Sequence, residues 1–477
     1  VAAVPLVVLI SGCTMAPKYA RPAAPIPGQW PTGSAYEKAT ATNAPFAPDL
    51  NWQDFFADPK LQQIISIALT NNRDLRLAAL NVEFARALYG IQRDQLYPAL
   101  NATAGAAKQR ASADLTQPGM PRTTERYDAN LGVFSWEIDF FGRIRSLKDE
   151  ALEKYLATEQ ARRSAQVLLI SGVANAYLAL AADREGLALA RETLNAQQAA
   201  YELVRKQYAA GVATELDLRQ AQTPVESARR EVARYTQLVA QDENALTLLA
   251  GCRLPAELLP ANLGQVGSLS DVSPGLPSEV LLRRPDVLQA EGALKAANAD
   301  IGAARAAFFP RISLTSTLGT ASDELDRLFS SGTGTWSYAP QLVMPIFDAR
   351  TWSALKASKV QQKLAVTQYE RAIQNAFREV ADALAARGTV GEQLAAQQAL
   401  TDNLSATYKV ALSRYEKGID SYLTVLDAQR SLFAAQQGLV SLRFAELASR
   451  VRLYAALGGG WDNGDAGMTA SIGKAAQ

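Results

Sequence analysis

The side chains that most enzymes use for acid–base and nucleophilic chemistry are scarce in this chain. Its 477 residues contain no histidine and only two cysteines, Cys13 and Cys252. Histidine-dependent catalytic triads and histidine-based zinc sites are therefore excluded. Ser353 and Lys356 match the S-x-x-K pattern of serine–lysine acylases, but neither S-D-N nor K-T-G occurs in the chain. We predict that the protein is not an enzyme and binds no metal or cofactor.

Charge and composition exclude two further classes of protein. The chain has 48 Lys and Arg residues against 47 Asp and Glu residues, a net charge of +1. This balance gives no electrostatic reason to expect nucleic acid as a partner. Apolar residues make up 48%, the level of an ordinary soluble domain and not of a multi-span helical membrane protein.

Cys13 has surroundings that predict a covalent modification. Residues 1–12 are apolar, and the run I-S-G-C that ends at Cys13 fits a bacterial lipobox, whose cysteine is acylated and becomes the new N-terminus. We interpret residues 1–12 as the remnant of a signal peptide and Cys13 as the lipid attachment site. Thr14 follows, with no aspartate to signal retention at the inner membrane. A truncated signal peptide that ends in cysteine by chance is the alternative.

The two halves of the chain repeat the same pattern. Residues 74–98 align with residues 286–310 at a constant offset of 212, and residues 201–251 align with residues 408–458 at an offset of 207. Length alone would suggest about three domains, whereas this self-similarity predicts two tandem copies of one unit. The predicted organisation is a lipid-anchored N-terminal segment (13–60), repeat 1 (61–254), a proline-rich linker (255–276), repeat 2 (277–460) and a flexible C-terminal tail (461–477).

Each predicted repeat begins with a helix and continues with strands. The helix has about 25 residues with a 3.5-residue apolar seam, and it ends at Pro98 in repeat 1 and at Pro310 in repeat 2. Alternating segments follow at about residues 99–141 and 311–347, each long enough for two strands of about ten residues. This length is typical of transmembrane β-strands, although a soluble hairpin has the same periodicity.

The second part of each repeat predicts very long helices. No proline occurs between Pro121 and Pro224 or after Pro345, and the helical pattern covers about residues 145–250 and 349–457. A helix of about 65 residues extends on the order of 100 Å. Pro224 predicts a local bend because its nitrogen has no hydrogen to donate.

The number of strands bears on the assembly. Four strands cannot close a transmembrane barrel, since about eight are the minimum, and open strand edges are not tolerated in lipid. If the strands span a membrane, the chain must therefore oligomerise. Periodicity alone leaves two or three copies open.

Taken together, these features resemble a known family. The lipobox, the duplicated helix–hairpin–long-helix unit, the two Tyr-x-x-Gly turns and the terminal run 457–461 are similar to the TolC-like outer-membrane efflux proteins, in particular their lipoprotein branch. The resemblance implies a mainly α-helical fold with a membrane β-barrel. Three chains would form an α-barrel and a shared twelve-stranded β-barrel, with a small mixed equatorial region. The protein would be lipid-anchored in the outer membrane of a Gram-negative bacterium and would extend into the periplasm.

The same resemblance implies a function and partners. The protein would be the exit duct of a tripartite efflux pump, passing drugs or other small toxic compounds to the cell exterior through a gated tunnel. Its partners would be two further copies of itself, a periplasmic adaptor and an inner-membrane pump, commonly a proton-driven one. A non-conducting periplasmic coiled-coil scaffold or adaptor is the alternative, which the two repeat-symmetric hairpins disfavour. The sequence predicts neither the cargo nor the resting state of the gate.

The resemblance also implies where the tunnel closes. In this family the periplasmic end closes near two glycine turns, here at Gly211 and Gly418, which are the expected docking points for the adaptor. Carried over by position, Leu423 and Asp427 would project into the pore as its constriction. Three like charges on a narrow axis attract cations.

A latch is expected beside this constriction. Asp217 and Tyr415 match the carboxylate and the tyrosine of the family's latch. Asp420 stands where the family has a basic residue two positions past the second glycine, so Arg414 is the candidate for the basic role. We therefore expect Asp217, Tyr415 and Arg414 to form the latch.

Overall fold

The computed structural model of the protein describes residues 14–37 and 44–461. Within these ranges the chain forms nine α-helices and four β-strands. The helices are α1 (Trp52–Phe55), α2 (Pro59–Asn71), α3 (Arg73–Asp94), α4 (Arg143–Ala209), α5 (Glu215–Ala250), α6 (Pro277–Val280), α7 (Pro285–Ala306), α8 (Ala349–Glu416) and α9 (Tyr422–Ala456). The strands are β1 (Leu100–Arg110), β2 (Thr123–Glu137), β3 (Arg311–Ser322) and β4 (Gly334–Val343). The lipid-site candidate Cys13, the predicted signal remnant and residues 462–477 lie outside the described residues.

The chain is mainly helical with one small sheet, and one order of elements occurs twice. A helix, two strands and two long helices follow each other from α3 to α5 and again from α7 to α9. The two predicted helical spans are each divided by a short glycine turn. α5 runs without interruption through Pro224. The predicted bend and the predicted domain bounds stay predictions.

One packing contact is repeated between equivalent positions of the two halves. The Asn72 side-chain amide donates to the Leu249 carbonyl at 2.9 Å, and Arg284 Nη1 donates to the Ala456 carbonyl at 2.6 Å. Asn72 and Arg284 differ by the offset of 212, and Leu249 and Ala456 by the offset of 207. Both contacts satisfy carbonyls that the ends of α5 and α9 would otherwise leave open.

The four strands form one antiparallel sheet in the order β1-β2-β3-β4. β1 pairs with β2 from Leu100 opposite Val133 onward, and β3 pairs with β4 from Arg311 opposite Val343 onward. The central β2–β3 pair joins the two halves of the chain and contains a bulge between Val133 and Trp136. Within the described chain, the outer edges of β1 and β4 pair with no other strand.

The pairing register sorts the side chains of the sheet onto two faces. Residues directly opposite each other in an antiparallel pair point to the same face. One face is mostly apolar: Leu100, Ala102, Ala104, Leu131, Val133, Trp136, Leu314, Leu318, Trp336, Tyr338 and Leu342. The other is mostly polar: Asn101, Thr103, Gln109, Asp128, Asn130, Ser313, Thr315, Thr317, Thr335, Ser337 and Gln341. Much of the apolar face is solvent-exposed, since Trp336 is 78% and Leu318 69% exposed.

The contacts divide the chain into two compact units, and each takes residues from both predicted repeats. Unit 1 comprises Val1–Ala23, Asn81–Glu159 and Gln289–Tyr369 and holds the sheet. Unit 2 comprises Ala24–Leu80, Gln160–Leu288 and Glu370–Gln477 and holds both glycine turns.

The core of unit 2 is aromatic. Phe55 and Tyr454 are fully buried and stack with ring centroids 4.0 Å apart. The Tyr177 hydroxyl of α4 donates to Asp58 Oδ2 at 3.0 Å, and Asp58 also caps the start of α2. Among the described helices, only α4 is long and apolar enough by length and composition to cross a membrane, and 56% of that apolar stretch is buried. Such burial is the behaviour of a core helix.

Candidate functional site

The first glycine turn joins α4 to α5 and has the geometry of a Schellman motif. Gly211 has φ +77°. Its N–H donates to the Tyr208 carbonyl at 3.0 Å, and the Val212 N–H donates to the Gln207 carbonyl at 2.9 Å. A Cβ at Gly211 would meet nothing within 4 Å. Glycine is therefore favoured there by its left-handed backbone and not by lack of space.

A reciprocal capping box starts α5 directly after this turn. Thr214 Oγ1 accepts a hydrogen bond from the Asp217 N–H at 3.2 Å. Asp217 Oδ2 accepts from the Thr214 hydroxyl at 2.7 Å and from the Thr214 N–H at 2.8 Å. These two hydrogen bonds lower the pKa of Asp217, so its carboxylate is ionised at neutral pH. The predicted latch carboxylate is thus held by its own turn.

The second glycine turn joins α8 to α9 and repeats the Schellman geometry. Gly418 has φ +70°, its N–H donates to the Tyr415 carbonyl at 2.9 Å, and the Ile419 N–H donates to the Arg414 carbonyl at 2.9 Å. The start of the next helix differs, because the N-cap residue Ser421 makes no side-chain capping hydrogen bond. The two turns are therefore alike at the helix end and unlike at the helix start.

Arg414 is paired within the second turn. Its Nε lies 2.5 Å and its Nη2 3.0 Å from the two carboxylate oxygens of Asp420. The hydrogen bond from Arg414 lowers the pKa of Asp420. The Arg414 side chain is half exposed, and an ion pair at such exposure contributes little to stability. The pair can therefore be exchanged for another partner at small cost.

Tyr415 connects the second turn to the last turn of α4. Its hydroxyl donates to Gln207 Oε1 at 3.5 Å, the outer limit of a hydrogen bond. Its ring lies 5.1 Å from the Tyr422 ring and packs on a small buried cluster: Ala411, Val425 and Ala428. Burial raises the pKa of Tyr422 to about 12, and within the described chain its hydroxyl has no hydrogen-bond partner.

Leu423 and Asp427 lie one helical turn apart on an exposed face of α9. The Asp427 carboxylate is 65% exposed, and Arg430 Nη1 lies 3.9 Å away. Leu423 is half exposed and lines a cavity of about 330 Å³ with Pro224 and Phe433 among other residues. The buried residues of α9 at this level are Val425, Leu426 and Ala428, so Leu423 and Asp427 lie on the exposed side of the helix.

The structure does not bring the three latch candidates together. In residues 14–37 and 44–461, no hydrogen bond or ion pair joins Asp217 to Tyr415 or to Arg414. Their hydrogen-bond partners are instead Thr214, Gln207 and Asp420. The T-x-x-D spacing is a capping-box signal and could have identified Thr214, whereas no sequence pattern singles out Tyr422 or Gln207.

The motifs that could carry enzyme or metal chemistry are few in the part of the chain that the structure describes. No cluster of three or more His, Cys, Asp or Glu residues that could hold a metal ion occurs there. Ser353 and Lys356 are exposed on α8, and no hydrogen bond joins their side chains. What the described chain offers instead is a two-faced sheet with open edges and a pair of helical turns.

Comparison with known proteins identifies the class to which these features belong. Residues 64–252 and 276–459 match the outer membrane efflux protein family. The antibiotic efflux pump outer membrane protein ArpC of Pseudomonas putida is 49% identical over 467 residues, 97% of this chain and 96% of that protein. The toluene efflux pump outer membrane protein TtgC of the same species has the same identity and coverage. The crystal structure of the open state of the Neisseria gonorrhoeae MtrE outer membrane channel matches with a TM-score of 0.85 at 37% identity, over 94% of this chain and 99% of that one.

The fold is that of an outer-membrane efflux channel. The chain belongs to the outer membrane efflux protein family. It is therefore an outer-membrane component of an efflux system, and the family is one of passive channels and not of enzymes.

Proposed function

We propose that three copies of this chain form a gated duct that carries small toxic compounds across the outer membrane. The observation that carries the proposal is the sheet of unit 1. It has an exposed apolar face, a polar face and two strand edges that pair with nothing in the described chain. Three such sheets joined edge to edge give a barrel of twelve strands, with apolar side chains toward lipid and polar ones toward the lumen.

Lipid makes this closure necessary. An unpaired edge in the hydrocarbon region leaves a row of unsatisfied backbone groups, each costing several kcal/mol. Joining β1 of one copy to β4 of the next satisfies both edges. The long helices of the three copies then form the walls of a tunnel in the periplasm.

The two glycine turns are the proposed periplasmic end of this tunnel. Leu423 and Asp427 are exposed on one face of α9, so three copies supply a ring of leucines and a ring of carboxylates to the pore. Asp217, Tyr415 and Arg414 form the proposed latch. In the present arrangement Arg414 is held by Asp420, so closing the latch exchanges one exposed ion pair for another.

The same turns are the proposed docking points for a periplasmic adaptor. Gly211 and Gly418 shape these turns. The turns present apolar side chains that are exposed to solvent in the protomer. Val212 is 78%, Leu216 65% and Ile419 58% exposed. Apolar side chains at a tip are typical of a surface that a partner covers.

We further propose that Cys13 carries a covalent lipid that anchors the protein to the outer membrane. Through the adaptor, the duct would receive its cargo from a proton-driven pump in the inner membrane. The relatives named for antibiotic and toluene efflux suggest antibiotics and small aromatic solvents as cargo. No cofactor is required for passive conduction.

Two neighbouring residues on opposite faces of β3 test the barrel. Leu318→Arg places a charge on the proposed lipid face, where it costs about 2–4 kcal/mol near the bilayer centre, whereas lumen-facing substitutions are tolerated. Thr317→Arg is the matched control, because Thr317 lies on the polar face. We expect the first variant to abolish heat-resistant trimers in the outer membrane and the second to keep them. Equal yields of the two variants would refute the proposed barrel.

A further inference from the structure

An extended N-terminal segment, residues 15–21, lies along one face of α7 within unit 1. Arg305 Nη1 donates to the Met15 carbonyl at 3.1 Å. The Asn298 side-chain amide donates to the Pro17 carbonyl at 2.7 Å. We call residues 15–21 the strap.

The strap ends on a buried carboxylate of the same helix. Arg21 donates through Nε and Nη2 to both oxygens of Glu291, at 2.9 and 2.8 Å. Tyr19 donates its hydroxyl to Glu291 Oε1 at 3.1 Å, and Lys295 Nζ lies 3.6 Å from the same oxygen. The Glu291 side chain is only 4% exposed. Burial alone would raise its pKa, but the hydrogen bond from Arg21 and the charges of Lys295 and Arg21 outweigh burial and lower it.

The spacing of these contacts fits the two backbones to each other. The strap runs antiparallel to α7, from Met15 opposite Arg305 to Arg21 opposite Glu291. Six extended residues cover about 20 Å, and fourteen helical residues rise about 21 Å. The bonded positions 291, 298 and 305 are seven residues apart and therefore share one helix face. The strap is thus fixed in one register along four turns of α7.

Gly302 allows the close approach on this face. A Cβ at Gly302 would lie 2.7 Å from the Ala16 nitrogen and 2.5 Å from Ser146 Oγ. The repeat-equivalent glycine, Gly90 of α3, has nothing within 4 Å of such a Cβ. The residues equivalent to Glu291 and Asn298 are Ala79 and Arg86. Two of the three polar residues that hold the strap are therefore specific to α7, whereas Arg305 corresponds to Arg93 of α3.

We propose that the strap sets the position of the acylated N-terminus relative to the barrel, with Glu291 and Gly302 as positioning residues. This rests on the lipid at Cys13 and the membrane barrel proposed above. Two residues of chain reach at most about 7 Å from Met15, which is bonded at the last turn of α7. β3 begins only five residues after that helix ends. Because both distances are short, the acyl chains on Cys13 and the start of β3 enter the membrane from the same leaflet.

The test compares strap variants in an acylated and a non-acylated background of the full chain. The background pair is native Cys13 and Cys13→Ser, the latter exported with an ordinary secretory leader. Arg21→Ala loosens the strap from its own side, and Gly302→Val loosens it from the helix side. Gly90→Val is the matched control on α3. The readouts are palmitate incorporation, heat-resistant trimer in the outer membrane, and trypsin cleavage after Lys18.

We expect both strap variants to incorporate palmitate normally and to be cleaved after Lys18 about tenfold faster or more, because local opening exposes the chain. We expect the trimer yield of each strap variant to fall to that of Cys13→Ser. When a strap variant is combined with Cys13→Ser, we expect no further fall in yield. Gly90→Val should match the parent protein. Equal losses with and without the acyl chain, or no loss at all, would overturn the proposal and leave the duct intact. Absence of palmitate on the parent protein would refute the proposed lipid attachment, and with it this inference.

Discussion

At the scale of single residues, the gate region depends on which partner each charged side chain takes. Asp217 is held by Thr214 and Arg414 by Asp420, so neither is available to the other in this arrangement. Both Arg414 and Asp420 are accessible to water, where a competing partner can displace one of them at little cost. The proposed latch requires both side chains to leave these partners.

Substituting Asp420 tests this competition. Asp420→Asn removes the charge that holds Arg414 within its own turn, and the freed guanidinium can then pair across the gate. We expect longer closed times in planar bilayers at neutral pH, where the lowered pKa of Asp420 keeps the native carboxylate ionised. Asp348→Asn is the control, because Asp348 also pairs with an arginine, Arg350, away from the turns. Unchanged gating in Asp420→Asn would show that the two arrangements do not compete.

At the scale of elements, much of the architecture follows from patterns that the sequence displays directly. The absence of proline between Pro121 and Pro224 indicated a very long helix, and α4 occupies Arg143–Ala209. Apolar residues at every second position from Trp336 onward indicated a strand, and β4 occupies Gly334–Val343. These elements were predictable because period and proline act locally.

Other features depended on contacts that no local pattern encodes. The bulge at Ser135, with φ +55°, brings Trp136 onto the apolar face of the sheet, although period-two alternation alone would put it on the other face. In the described chain the latch candidates are not hydrogen-bonded to one another, because Asp217 is bonded to Thr214 and Arg414 to Asp420, their neighbours in sequence. A resemblance to a family assigns roles to positions in the sequence. It does not show which neighbouring side chains form hydrogen bonds with those residues.

The packing of α4 against α5 predicts a dependence of stability on pH. Asp183 and Asp242 lie together, with Arg234 nearby and the Arg184–Glu243 pair next to them. Burial and the charge of Asp183 raise the pKa of Asp242 to about 7. A folded-state pKa above the unfolded value near 3.8 means that the folded chain holds the proton more tightly. The pair therefore favours folding at low pH, and this contribution is lost as the pH rises from about 4 to 7.

Removing one of these carboxylates should flatten that dependence. We expect Asp242→Asn to raise Tm by about 1–3 °C at pH 8 and by clearly less at pH 5. Asp402→Asn, at an exposed position of α8, should leave the pH profile as it is. Thermal unfolding of the purified protein, followed by circular dichroism at both pH values, measures the difference. A parallel profile for Asp242→Asn and the parent protein would contradict the raised pKa of Asp242.

At the scale of the whole molecule, several surfaces of the protomer have no partner within the described chain. Its sheet has two open edges and an exposed apolar face, and the turns in unit 2 present apolar side chains to water. In the proposed trimer, neighbouring copies would satisfy the edges and lipid would cover the apolar face. The same threefold symmetry would place three copies of the exposed Asp427 carboxylate in the proposed ring of charges.

Single-channel conductance in planar bilayers tests the proposed duct most directly. The trimer should conduct with selectivity for cations, because a ring of carboxylates raises their local concentration at a narrow point. Asp427→Asn should lose most of that selectivity, whereas Glu215→Gln, an exposed carboxylate at the first turn, should keep it. An inserted trimer that conducts nothing in any variant would contradict the account of the protein as a channel. Conduction with unchanged selectivity in Asp427→Asn would remove Asp427 from the constriction.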